Sequence, residues 1–356
     1  MRRHRHRLTA AFATASLAVL AAACGGDDEV VRRDEPLRVL GAERDLRIGT
    51  AVDDVALTDD PRYEPLLARE VDMVVAENAM KWSSVQPERG VFDFEAADRL
   101  VDFAGRHGMA VRGHTLLWHR SVPDWVADAQ WGRDEAVEVL REHITTVVGR
   151  YRGRVEQWDV VNEPIARDGD GLEANPWLRM IGPDHVALAF EFARDADPTA
   201  ELYLNDFDGS FPGERTERVV ELAEQLASAG TAIDGVGIQF HVLGRPDELD
   251  ADAVVDVFDR IGAAGLDAAV TEADVRLELG AEGRPDDDQL HTQADLYEEL
   301  LRGCLRAVNC DTFVMWGLTD RWSWVPGQFE GFGAATLFDD DYRPKPAHER
   351  LQLVLS

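Results

Sequence analysis

The sequence predicts an α/β chain folded as a single-domain (β/α)8 TIM barrel. Three observations predict it. From residue 46 onward, eight short runs rich in Val, Ile or aromatic residues alternate with eight longer helical runs. Several of the short runs lack the polar alternation of a strand wetted on one side, as expected where a parallel sheet is covered on both faces. Polar residues of unusual kinds recur just where those runs end, which in a barrel is the face that carries chemistry.

The strand candidates are residues 47–52, 72–76, 109–114, 156–162, 201–205, 235–240, 268–271 and 312–316. The helical candidates between and after them are 61–70, 95–107, 134–151, 184–197, 214–228, 251–264, 288–306 and 346–353. Val219, Leu222, Ala223 and Leu226 show the three-to-four spacing of an apolar helical stripe. An open doubly wound sheet is the alternative, but no Gly-rich phosphate loop follows the first strand, which argues against its nucleotide-binding versions.

Composition fits a large folded domain. The 356 residues are 45% hydrophobic and 29% charged, enough to bury a large core. The formal charge of −31 comes from 68 acidic against 37 basic residues. Such a body repels phosphate backbones and anionic headgroups, so nucleic acid is not expected as a partner, whereas an uncharged ligand is unaffected. Only Lys81 and Lys345 are lysine; every other basic residue is arginine.

Residues 1–23 read as a signal peptide of the lipoprotein type. Arg2, Arg3, Arg5 and Arg7 form a basic start, residues 8–20 an apolar run too short to span a bilayer, and Ala21–Ala23 precede Cys24. That arrangement resembles the bacterial lipobox, with Cys24 as the lipidated first residue; plain secretion is the alternative. Removing the segment leaves 33 basic against 68 acidic residues. Residues 24–45 are expected to be a tether and docking segment, and 46–356 the (β/α)8 domain. Cys304 and Cys310 remain as a pair six residues apart, either a short-loop disulfide in an oxidising compartment or two buried thiols. Their spacing matches no zinc pattern.

At the strand ends the residues are Glu77, Asn78 and Lys81; His114, Trp118 and His119; Asn162 and Glu163; Asn205 and Asp206; Gln239 and His241; Glu272 and Asp274; Trp316, Asp320 and Trp324. Two carboxylates, Glu163 and Glu272, across a mouth rich in Asn, Gln, His and Trp are the equipment of glycoside hydrolysis. One donates a proton to the leaving oxygen; the other, ionised, attacks the anomeric carbon. Asn162 is placed to bond a sugar hydroxyl, and His241 to keep the second carboxylate charged. Loop tryptophans offer flat faces to pyranose rings, while Trp158, Trp131 and Trp177 are expected in the core. His114, His119 and His241 invite a metal reading. The five-residue step from His114 to His119 and the lack of a completing carboxylate speak against it. No metal or cofactor is called for.

In this order the motifs resemble glycoside hydrolase family 10, the endo-β-1,4-xylanase family. The runs that carry the resemblance are 76–82, Gly113 to His119, Trp158 to Glu163, Asp234 to His241, Thr271 to Asp274 and Trp316 to Trp324. They cover roughly residues 40 to 354. The resemblance implies a retaining double displacement on internal bonds of xylan, with Glu163 as general acid/base and Glu272 as nucleophile. It implies that Glu77, Asn78 and Lys81 hold the sugars on the non-reducing side of the cut. His114, Trp118, Asn162, Gln239 and His241 would line the cleavage point, with Trp316 and Trp324 around it. It also implies a disulfide between Cys304 and Cys310. The expected protein is a monomer, lipid-anchored outside the cytoplasmic membrane or secreted, acting on a polysaccharide. Ser121, Phe207, Phe240 and Ala273 depart from the family pattern, and Ser121 and Phe240 are expected to reshape the pocket.

Overall fold

A computed structural model describes residues 35–167, 171–209, 211–246 and 248–356. The expected signal peptide, Cys24 and the first part of the 24–45 segment lie outside the described residues.

Eight parallel strands close on themselves. They are β1 Arg47–Val52, β2 Met73–Ala76, β3 Ala110–Trp118, β4 Gln157–Asn162, β5 Glu201–Asp206, β6 Gly235–Ile238, β7 Asp267–Glu278 and β8 Cys310–Met315. Each pairs with the next, and β1 pairs with β8 from Arg47↔Thr312 to Thr50↔Met315, which removes every edge of the main sheet. Residues of β2, β4 and β5 are buried throughout, which is why their sequences carry no alternation.

The helices are α1 Tyr63–Glu70, α2 Glu95–His107, α3 Arg133–Arg150, α4 His185–Ala196, α5 Glu214–Ser228, α6 Ala251–Ala263, α7 Asp287–Arg306 and α8 Pro346–Leu355. Local chemistry sets several ends. Asp286 and Gln289 form a reciprocal capping box on α7, and Gly108 in the left-handed region (φ 64°) stops α2. Most of the apolar core lies between strands and helices. Inside the barrel, Ala51, Met73, Val75, Ala110, Val314 and Trp316 form a separate cluster. Near the bottom of the barrel a polar layer takes over: Arg112 bonds Gln157 (2.8 Å), which in turn bonds Glu201 (3.1 Å) and Thr312 (3.2 Å).

The barrel is the one expected, but several element bounds differ. β3 continues past His114 to Trp118, and β7 runs to Glu278 rather than ending near 271. Both strands thereby carry site residues as part of the sheet. β6 stops at Ile238, because Phe240 takes a left-handed φ of 59° and the chain resumes as a short strand, His241–Leu243, beside β7. Short helices of six residues or fewer, such as Leu37–Ala42, also escape the sequence reading; this one buries Leu37 and Leu40. No helix among the described residues is long and apolar enough to cross a membrane. Cys304, near the end of α7, and Cys310, opening β8, are disulfide-bonded with Cα atoms 5.3 Å apart.

Candidate active site

A cleft of about 890 Å³ opens at the C-terminal ends of the strands, and every sequence-predicted catalytic and sugar-binding residue lines it. β2 and its loop supply Glu77, Asn78 and Lys81; β3 supplies His114 and Trp118; β4 and the residue after it supply Asn162 and Glu163. The segment after β6 supplies Gln239 and His241, β7 supplies Glu272, and the β8 loop supplies Trp316 and Trp324.

The two glutamates sit in different surroundings. Glu272, 4% exposed, accepts hydrogen bonds on both oxygens: Asn205 Nδ2 to Oε1 (2.7 Å) and His241 Nε2 to Oε2 (3.1 Å). His241 is in turn held by Asp274 through Nδ1 (2.9 Å), and Asp274 also accepts Trp324 Nε1 (2.8 Å). Burial opposes a charge on His241. Asp274 and the bonds to both carboxylates outweigh it and raise the imidazole to about 10. A cation is thus lodged between two carboxylates. Glu163, 7% exposed, has an Oε2 without a hydrogen-bond partner; its nearest cation is Arg120 Nε at 3.8 Å. An oxygen so placed is able to carry a proton to a ligand.

Asn162 is oriented by its neighbours. Its Oδ1 accepts from Asn205 (2.8 Å) and Gln239 (3.2 Å), which leaves its Nδ2 as a donor toward the cleft. Asn205 is fixed by Thr271, whose hydroxyl donates to Asn205 Oδ1 at 2.7 Å. His114 is held by Asp159 (3.0 Å), itself paired with the wholly buried Arg112 at 3.1 and 2.5 Å. Burial works against the Asp159 charge, but Arg112 and His114 hold its carboxyl below the usual range.

Toward β2, Lys81 Nζ donates to Asn78 (2.8 Å) and stands 4.9 Å over the Trp118 ring. Burial lowers the Lys81 ammonium although Glu272, Glu77 and Glu163 pull the other way. Burial, with Asp53 adding and Lys81 opposing, raises Glu77 to about 7. The Lys81-Trp82 motif divides here. Trp82 faces the core, stacked on His143 at 3.5 Å and on Trp177 at 4.9 Å. Trp316 meets His114 edge-on at 5.0 Å, and Trp324 lies against His241 at 4.9 Å.

Some expectations need correction. Phe240 does not line the cleft; it is 2% exposed and packs on Phe211 (4.7 Å) and Phe258 (6.3 Å), because its left-handed φ turns the ring inward. Ser121 is buried and also outside the lining, whereas Phe207 belongs to it. Lys345 lies away from the cleft, where its ammonium bonds Asp320 (3.0 Å) and the Ala334 carbonyl (2.7 Å). The sequence reading also missed residues with a part here: Arg112, Asp159, Arg120, Arg276 and Phe329. Arg112 and Asp159 had a legible signal, since charged residues inside neighbouring buried strands require partners.

Against known proteins, the chain matches the profile of glycosyl hydrolase family 10 over residues 37–353. Endo-1,4-beta-xylanase B of Thermotoga neapolitana is 36% identical over 318 residues, 89% of this chain and 90% of that protein. Endo-1,4-beta-xylanase A of Fusarium oxysporum f. sp. lycopersici is 36% identical over 285 residues, 78% of this chain and 86% of that protein. The structure of xylanase 10B from Thermotoga petrophila in complex with xylobiose shares the fold. Its TM-score is 0.85 at 35% identity, with 90% of this chain and 97% of that one covered.

Proposed function

This chain belongs to glycosyl hydrolase family 10, and on that premise we propose that it cuts internal β-1,4 bonds of xylan with retention of anomeric configuration. The observation that carries the reading is the unequal pair of glutamates in one cleft. Glu272, with a donor on each oxygen, is the nucleophile; Glu163, with a free buried oxygen, is the general acid/base. Glu163 protonates the leaving oxygen as Glu272 bonds the anomeric carbon. The deprotonated Glu163 then draws a proton from water, which attacks the glycosyl–enzyme and frees Glu272. Asn162 Nδ2 donates to a sugar hydroxyl beside the breaking bond. Glu77, Asn78 and Lys81 hold the non-reducing side, and the faces of Trp316 and Trp324 bound the sugar.

The test is product analysis on xylan, cellulose and mixed-linkage glucan, with proton NMR of the first anomer released. Xylo-oligosaccharides appearing first as the β-anomer are expected. Early α-anomer would overturn retention, and equal turnover of cellulose would overturn the substrate. Glu272→Gln is expected to lose about 10³-fold or more in kcat, and wild-type turnover in that variant would remove it as nucleophile. Export with lipidation at Cys24 is part of the same proposal. It rests on the basic, apolar and small-residue order of residues 1–24. Cys24→Ser is expected to abolish fatty-acid labelling and to shift the protein from the membrane fraction to the soluble one. We also infer a monomer, which size-exclusion chromatography with light scattering checks.

A further inference from the structure

Glu163 is an awkward residue to place. It is not glycine, yet its φ is 52°, in the left-handed region. Its own N–H is tied to the Asn205 carbonyl at 2.8 Å. The chain just beyond it must be fixed as well, because a reacting group displaced by an ångström loses much of its effect.

One buried pair does this. Asp206 ends β5 and is 1% exposed; its Oδ2 accepts the Ile165 N–H at 3.2 Å. Its Oδ1 accepts the Phe207 N–H and Arg215 Nε, each at 2.8 Å. Arg215, at the start of α5 and 8% exposed, reaches past the carboxylate and donates Nη1 to the Ala166 carbonyl at 3.2 Å. Its guanidinium lies 4.2 Å from the Phe207 ring centre. Residues 165 and 166 are therefore gripped from β5 and α5 together.

We propose that the Asp206–Arg215 pair is the positioning unit of the acid/base, clamping the backbone after Glu163 so that its carboxyl meets the leaving oxygen. The proposal rests on Glu163 being that acid/base. Asp206 is absent from the cleft lining and acts only through the loop, while Arg215 borders the cleft. Burial, opposed by Arg215 and reinforced by the Glu163 charge, raises the Asp206 carboxyl to about 7. The other charged or titratable groups near Glu163 are Lys81, His119 and Arg120, with Glu272 also coupled to Lys81 and Glu173 to His119.

The experiment is Asp206→Asn, with Arg215→Lys beside it. Both oxygens of Asp206 are acceptors, so an amide must set an N–H against either Ile165 or the guanidinium. The clamp opens and the negative charge goes. On xylotetraose, whose leaving group needs a proton, kcat/KM is expected to fall about 10- to 100-fold. On 2,4-dinitrophenyl xylobioside, whose leaving group needs none, kcat/KM is expected to change by less than about threefold. Arg215→Lys keeps the charge but supplies a single ammonium that cannot serve Asp206 and Ala166 together. It shows the same substrate discrimination. Circular dichroism and Tm establish that both variants fold. Equal losses on the two substrates would make the pair merely structural and overturn the proposal, as would wild-type kinetics in folded variants. Glu163→Ala run in parallel separates the underlying reading: azide is expected to restore its turnover of the activated substrate. Without that rescue the assignment of Glu163 falls, and the clamp with it.

Discussion

At the scale of single residues, what divides the two glutamates is the number and kind of their partners rather than their exposure. Glu272 is bound to two donors and Glu163 has an unpartnered oxygen, and the chemistry assigned to each follows from that. Glu77 makes a further argument possible. Its carboxyl is raised to about 7 by burial, with Asp53 nearby and Lys81 opposing, so it changes charge across the ordinary working range. Raising the pH through that value ionises it, and an ionised carboxylate accepts a sugar hydroxyl more strongly than a neutral one. KM for short xylo-oligosaccharides is therefore expected to fall several-fold between about pH 6 and pH 8, the sense a raised acid requires. Glu77→Gln is expected to flatten that slope, and a slope unchanged in the variant would assign it to another group. The cleft residues themselves were legible in the sequence because strand ends are few and their polar residues conspicuous. The partners of their supports were not. Asp159, Arg112 and Thr271 act from inside strands, and only the register between neighbours, such as Arg112↔Gln157 and His114↔Asp159, shows whom they meet.

At the scale of elements, strand existence could be read from apolar runs, but strand ends could not. β7 carries Glu272, Asp274 and Arg276 within one strand twelve residues long, and those polar residues ended it prematurely in the sequence reading. They remain in the sheet because His241, Trp324 and neighbouring strands satisfy them. Close approach between β3 and β4 illustrates a constraint that patterning does not reveal. Gly113 pairs with Trp158, and a Cβ at Gly113 would overlap the indole ring. The ring is wholly buried and has no room to retreat. Gly113→Ala is expected to cost about 3 kcal/mol in urea denaturation, as overpacking of a filled core does. Trp158→Phe added to it should recover part of the loss, since a smaller ring removes the overlap. A Gly113→Ala variant as stable as wild type would show that the strand pair yields more easily than this packing implies.

At the scale of the whole molecule, closure depends on contacts between distant parts of the chain. β1 pairs with β8; Gln352 bonds the Glu35 carbonyl (2.7 Å), and His348 bonds Glu70 (3.1 Å), so α8 ties into the start of the described chain. Such pairings are visible in the sequence only as a count of eight units, which implies closure without specifying which side chains secure it. Charge is the property of the whole that the sequence states most directly, and the site gives it a consequence. The net charge of −31 is carried by a molecule whose cleft mixes Glu77, Glu163 and Glu272 with Lys81, Arg120 and Arg276. A neutral glycan gains little from the long-range field of such a body, and the short-range bonds that hold it are hardly screened by salt. The value of kcat/KM on unsubstituted xylotetraose is therefore expected to stay within about twofold between 10 mM and 500 mM NaCl, well past the ionic strength at which steering of a charged ligand is lost. A fall of tenfold over that range would mean that recognition runs through charge, and would count against a neutral xylan backbone as the group this cleft selects.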